Sequence, residues 1–365
     1  AAHDKLALIN ERYPASPNRQ IDANPTAVAQ TDQLINLYVP RKYINHPERF
    51  LNLVSHLFIE RSPQFEPQQA QRLADVLIEK PDHTVDVAVA WEVLGPMALP
   101  VVRKHYADER HHVQLAALEA GSRLQDEAAT PHIIKLIETG SVQDRRDAAK
   151  MLAHLPRSFR GNEVLRKLLD DDEISVRLAA YESLAEIEDA IIQRVPIGIR
   201  DKFKYMLHLV PSEKPLIYIT QDRMPRLVIF DRDTGLKLHD VARVWDNRLM
   251  VKHAATEDLY EVFYQPRTSL QPKLYKIAPT LANLVFLMSH DPKSGDPPEG
   301  MDLSYSDVVS AVYQLVNQGH VVAPIQVRRS ALLQAIAKAR EQEQGGLTRP
   351  EITTSTEDPT DAFLR

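Results

Sequence analysis

His111 and His112 form the only adjacent histidine pair in the chain. Imidazoles in pairs suggest a metal site or a proton relay. Neighbouring residues on a helix point about 100° apart, so these two rings cannot easily share one ion. Neither H-E-x-x-H nor H-x-H occurs, and a solvated turn before a helix is the expectation. Asp231-Arg232-Asp233-Thr234-Gly235 begins like a calcium loop. It lacks the later oxygen positions and the closing bidentate Glu, so a hairpin turn between two strands is expected. Asp170-Asp171-Asp172-Glu173 could attract a cation, but an acidic cluster at a helix N-terminus accounts for it. Serine and histidine occur without a G-x-S-x-G elbow. The chain has no cysteine, which excludes thiol catalysis, Cys-based zinc, iron–sulfur clusters and disulfides. Only 11 of 365 residues are glycine, and no G-x-G-x-x-G or G-x-x-x-x-G-K is present. The expectation is a protein without catalytic residues, metal or cofactor.

Arg145, Arg146, Lys150, Arg157, Arg160, Arg166 and Lys167 make the densest basic cluster. Interleaved Asp144 and Asp147 and the acidic run that follows dilute its field, and the net charge is −6. A solvated face is expected there rather than a nucleic-acid surface. No apolar run reaches about 18 residues, so no membrane span is expected. The start, Ala1-Ala2-His3-Asp4, is not a signal peptide, which suggests either a removed leader or a fragment.

The elements that would carry these residues change along the chain. Residues 1–62 mix a short helix (Leu6, Ile9, Tyr13), a polar loop, a strand at 34–39 closed by Pro40, and a helix opened by Pro47. Residues 63–210 read as helical and contain a repeat. Ala-Ala pairs begin at Ala116, Ala148 and Ala179, spacings of 32 and 31 residues, with a fainter copy at 87–92. Two helices per repeat cannot bury their apolar faces alone, so neighbouring pairs must stack. This pattern resembles the HEAT-type α-solenoid family over about residues 83–195; an irregular helical bundle is the alternative.

Residues 211–300 switch to a period of two. Strands are expected at 216–220, 226–230, 248–251, 259–264 and 273–277, forming a small antiparallel domain. A short helix follows at 281–288. Residues 301–344 carry a helix capped by Ser304 and Asp307 and a last charged helix at 329–343. A winged-helix piece over 303–327 is a weaker alternative. Residues 345–365 have the composition of a disordered tail. The fold class expected is α+β, mainly α: a HEAT-like solenoid between an α/β N-terminal segment and a small antiparallel β domain with C-terminal helices.

One segment carries a more specific pattern. A strand ends in Val39-Pro40, Tyr43 follows three residues later, and Pro47 and Phe50 enter a helix; Ile9-Asn10 precede the aromatic Tyr13. This segment resembles the C-terminal portion of the flagellar basal-body P-ring protein, in an enlarged form carrying HEAT-like repeats. The resemblance covers about 55 residues. It implies a periplasmic, non-enzymatic building block of the ring around the flagellar rod, with partners that are copies of itself and the rod. The family's larger N-terminal part and its Gly/Val-rich closing segment have no counterpart here. A general HEAT-repeat scaffold, cytoplasmic in that case, and a HEAT-fold DNA-repair enzyme are the alternatives.

Overall fold

The computed structural model describes residues 2–14, 25–31, 34–44, 46–60, 62, 64–156, 158–198, 203–221, 224–255, 258–266, 271–292 and 299–328. The chain is of mixed α and β type and mainly helical. It divides into two compact units, Ala1–Ile187 and Glu188–Arg365.

The first unit begins with α1 (Ala2–Arg12) and a two-stranded antiparallel sheet of β1 (Ala27–Ala29) and β2 (Ile35–Leu37). Pro40 then leads into a 3-10 turn, Arg41–Tyr43. Pro47 occupies the first turn of α2 (Pro47–Ser55), where its missing N–H costs nothing. Phe50 and Leu53 lie one turn apart on its buried face. Helices then follow in succession: α3 (Phe65–Glu79), α4 (Thr84–Leu94), α5 (Leu99–Val102), α6 (His111–Arg123), α7 (Thr130–Thr139), α8 (Val142–His154), α9 (Phe159–Lys167) and α10 (Ile174–Glu186). Helix α8 opens on a capping box: Ser141 Oγ accepts from the Asp144 amide, and the Ser141 amide donates to Asp144 Oδ2 at 2.9 Å.

The helices bearing the Ala pairs contact one another in order, α4 with α6, α6 with α8 and α8 with α10. Ala116, Ala148 and Ala179 are all buried, as are the alanines that follow them. Small side chains allow this approach, and Ser183 Oγ of α10 donates to the Ala149 carbonyl of α8 at 2.9 Å. Helix α4 is the most enclosed. Trp91 is fully buried and its Nε1 donates to the Ala70 carbonyl of α3 at 3.0 Å. By length and composition, Pro81–His105 is apolar enough to cross a membrane, contrary to the expectation from runs alone. Most of that stretch is buried inside the unit, which explains its apolarity as that of a core element.

Sequence reading placed residues 193–210 in the helical array; instead they form β3 (Gln193–Ile197) and β4 (Tyr205–Val210) in the second unit. Tyr205–Val210 is an apolar run too short for its period to distinguish strand from helix. The expected strands appear as β5 (Leu216–Thr220), β6 (Arg226–Phe230), β8 (Leu249–His253), β9 (Tyr260–Tyr264) and β10 (Lys273–Ile277), with β7 (Ala242–Val244) between β6 and β8. They do not form one antiparallel sheet. Strands β10-β9-β8-β7 form an antiparallel sheet, and a mixed sheet has the order β11-β5-β6-β4-β3, with β11 at Ile325–Arg328. In the mixed sheet β4 runs parallel to β6, and β11 parallel to β5. Strand β5 is therefore interior, and all five of its residues are buried, as an interior strand requires.

Between the sheets in sequence lie α11 (Leu281–Ser289) and α12 (Tyr305–Asn317). Leu284, Val285, Val308 and Val312 join Leu207, Ile217, Leu249 and Val262 in one core. Since β11 pairs in parallel with β5, the 303–327 stretch is not the helix and hairpin of a winged helix. The helix expected at 329–343 and the tail at 345–365 lie outside the described residues.

Candidate interaction surface

Val39, Tyr43 and Phe50 of the sequence pattern meet in one small core with Tyr13 and Leu53, whereas Pro47 is exposed. Pro40 is buried and its carbonyl accepts the Tyr43 amide at 2.8 Å. The Tyr43 ring lies 5.7 Å from Phe50 and 5.9 Å from Tyr13, and Tyr13 meets Phe50 edge to face at 5.7 Å. Such contacts add to what burial alone supplies. Val39 packs against this cluster from β2's end, and Pro47 starts the helix that delivers Phe50. Val89 and Val93 of α4 close the core, so the segment shares its packing with the helices. Asn10 fixes the sheet: its Nδ2 donates to the Ala27 carbonyl at 2.9 Å and its Oδ1 accepts the Ala27 amide at 2.7 Å. Burial pushes the Tyr13 and Tyr43 hydroxyls up from the usual phenol range, partly offset by Arg12 and Arg49. Arg49 makes a close ion pair with Glu92 of α4.

The segment also exposes apolar side chains. Leu34, Tyr38, Ile44 and Leu51 are each about half exposed. Among the described residues, strands β1 and β2 pair only with each other. A two-stranded sheet is marginal by itself and offers open edges for pairing.

Along the helical array, charged side chains link successive pairs. Arg103 donates to both Asp126 oxygens at 2.8 Å, and Tyr106 donates to Asp126 Oδ2 at 2.7 Å. Arg103 holds the Asp126 carboxyl below its ordinary range, whereas burial drives the Tyr106 hydroxyl far up. Gly121 permits this arrangement, because a Cβ there would lie 2.1 Å from the Tyr106 hydroxyl. His111 Nε2 lies 2.9 Å from Asp144 Oδ1, and Arg145 donates to both Asp171 oxygens at 3.1 Å. Burial works to raise the Asp144 pKa, but Ser141 and His111 hold it low.

The residues singled out for chemistry are thus drawn apart. His112 Nε2 faces the Leu77 carbonyl at 3.1 Å, away from the partner of His111. Asp171 of the acidic run is occupied by Arg145. In the basic cluster, Arg146 and Lys150 pair with Asp147 and Lys167 with Glu163, while Arg157 lies outside the described residues. Asp231 adopts a φ of +65° and its Oδ1 accepts the Asp233 amide at 3.1 Å. Its turn leaves β6 for the other sheet, so it is not the hairpin turn expected. Among the described residues, no three His, Asp or Glu side chains converge to hold a metal ion.

Sequence reading missed a groove where α2's end meets α3 and α4. It encloses about 330 Å³ over Leu57, Phe58, Leu73 and Val87, with His56, His83 and Asp86 at its rim. Leu57 and Val87 looked like ordinary core positions, and no motif distinguishes them from buried ones.

Compared with known proteins, the chain matches no family model and no curated relative.

Proposed function

We propose that the chain is a non-enzymatic assembly component, a P-ring-like building block of the bacterial flagellar basal body acting in the periplasm. The observation that supports this reading most is the convergence of Val39, Tyr43 and Phe50 on one core in a segment that also exposes Leu34, Tyr38, Ile44 and Leu51. A pattern that served packing alone would give only the first feature. The outward apolar set suits a segment that is completed by a neighbouring subunit. In this reading the stacked Ala-pair helices are a HEAT-like solenoid that extends the subunit with a long protein-binding face. Copies of the chain and the flagellar rod are its partners.

A general HEAT-repeat scaffold is the second reading, favoured by the ordered contacts of α4, α6, α8 and α10. A DNA-repair enzyme of that fold would need an open basic groove, and the ion pairing of Arg145, Lys150 and Lys167 counts against one. Deletion of the gene separates the first two readings. The ring reading expects non-motile cells whose basal bodies lack the periplasmic ring. Normal swimming with intact rings would overturn it and leave the scaffold.

A further inference from the structure

We propose that the outer edge of β2 pairs with the same edge of a second copy of this chain, antiparallel about Asn36; this names a contact for the assembly reading and rests on that reading. The two edges of the small sheet are not alike. On β1, the Asn10 side chain stands in for a neighbouring strand: its Oδ1 accepts the Ala27 amide at 2.7 Å and its Nδ2 donates to the Ala27 carbonyl at 2.9 Å. Helix α1, which carries Asn10, lies against that strand. Both polar backbone groups of Ala27 turn to Asn10, so Ala27 and Leu37 form a non-hydrogen-bonded pair of the ladder. The flanking bonds follow the same alternation: the Tyr38 amide donates to the Thr26 carbonyl at 2.8 Å, and the Gln30 amide to the Leu34 carbonyl at 2.8 Å. Ala29 and Ile35 pair in the same sense as Ala27 and Leu37. The N–H and C=O groups of Ile35 and Leu37 therefore point away from β1, and they have no hydrogen-bond partner among the described residues.

Open edges in native sheets are ordinarily blunted by a lysine, a proline or a bulge. From Leu34 to Val39 there is neither a charge nor a proline. Leu34, Asn36 and Tyr38 are exposed, and the residues between them are half-buried. This stretch is complementary to itself. In an antiparallel pair centred on Asn36, Ile35 of each copy exchanges hydrogen bonds with Leu37 of the other, and Leu34 of each lies opposite Tyr38 of the other. Cross-strand pairs of an aromatic and an aliphatic side chain stabilise a sheet. The exposed cations Arg41 and Lys42, past Pro40, fall at opposite ends of the pair, so the charges of the two copies stay apart. A parallel pairing would set them side by side. The contact is isologous and closes at two copies, so a ring requires a further one.

The full chain contains no cysteine, so a single introduced thiol reports without background. Across the two-fold axis position 36 faces itself in a non-hydrogen-bonded pair, with Cα atoms about 4.5 Å apart, inside the span of about 4.4–6.8 Å that a disulfide bridges. In a glutathione redox buffer, Asn36→Cys should give at least about ten times more disulfide-linked dimer than Leu34→Cys, because position 34 faces position 38 of the other copy and not itself. Adding Leu34→Lys and Tyr38→Lys to Asn36→Cys should suppress the link, since lysines then oppose one another, whereas adding Leu34→Lys and Tyr38→Glu should restore it. These positions are exposed, and matching circular dichroism melts verify folding. Equal dimer from the two single thiols, or a link that survives the opposed lysines, overturns the contact, even where deletion of the gene removes the rings and upholds the flagellar reading. A selective link in a protein whose gene deletion leaves rings intact overturns the flagellar reading and leaves the contact standing.

Discussion

His154 is largely enclosed at the end of α8, and burial, reinforced by the Arg123 and Arg49 charges, lowers its pKa to about 3. His208, on β4, is lowered to about 4 by burial and by Arg226 and Arg194. Both are therefore neutral in the folded chain where the unfolded chain, with a histidine pKa near 6.5, already binds a proton. The unfolded state holds more protons between those values, so stability rises with pH across this window and falls as pH drops below about 6.5. The depressed carboxyls Asp126 and Asp144 act lower, since their contribution is lost only once pH falls below the ordinary carboxylate range. Denaturant midpoints should accordingly be lower at pH 5 than at pH 7. The His154→Gln variant should show a smaller difference between the two. An unchanged difference in that variant would remove His154 from the account.

At the scale of elements, the alanine pairs carry the clearest structural prediction. Ala148 is fully buried where α8 meets its neighbours, and Leu there adds three carbons to a closed contact. Ala148→Leu should cost roughly 1–3 kcal/mol and lower the melting temperature. A melt equal to the parent's would mean the helices do not pack through this position. The helices of the first unit were legible because each shows amphipathic spacing, a cap or a proline start: Pro47 for α2 and the Ser141–Asp144 box for α8. The sheets were only half legible. The hydrophobic runs gave β5, β6, β8, β9 and β10, but the pairing of β11 with β5 joins residues over a hundred positions apart, and no local pattern encodes it. Strands β3 and β4 passed for helix because runs this short have no period that separates strand from helix. The aromatic core around Phe50 was visible as a motif, while its closure by Val89 and Val93 was not, because those valines also fit the repeat. The groove was invisible since a partly exposed Val76 has the same sequence signature as a buried one.

At the scale of the whole molecule, the proposed assembly role falls to the exposed apolar residues of the N-terminal segment. Tyr38 reports on these residues most directly: it is 54% exposed and directly follows β2. Replacing an exposed residue with a photo-crosslinking amino acid should leave the fold intact. Expressed from the native locus and irradiated in flagellated cells, the full protein with the crosslinker at position 38 should yield covalent multimers that copurify with basal bodies. The same crosslinker at buried Val89 should yield none. A single monomeric band at position 38, with the protein absent from purified basal bodies, would contradict the account.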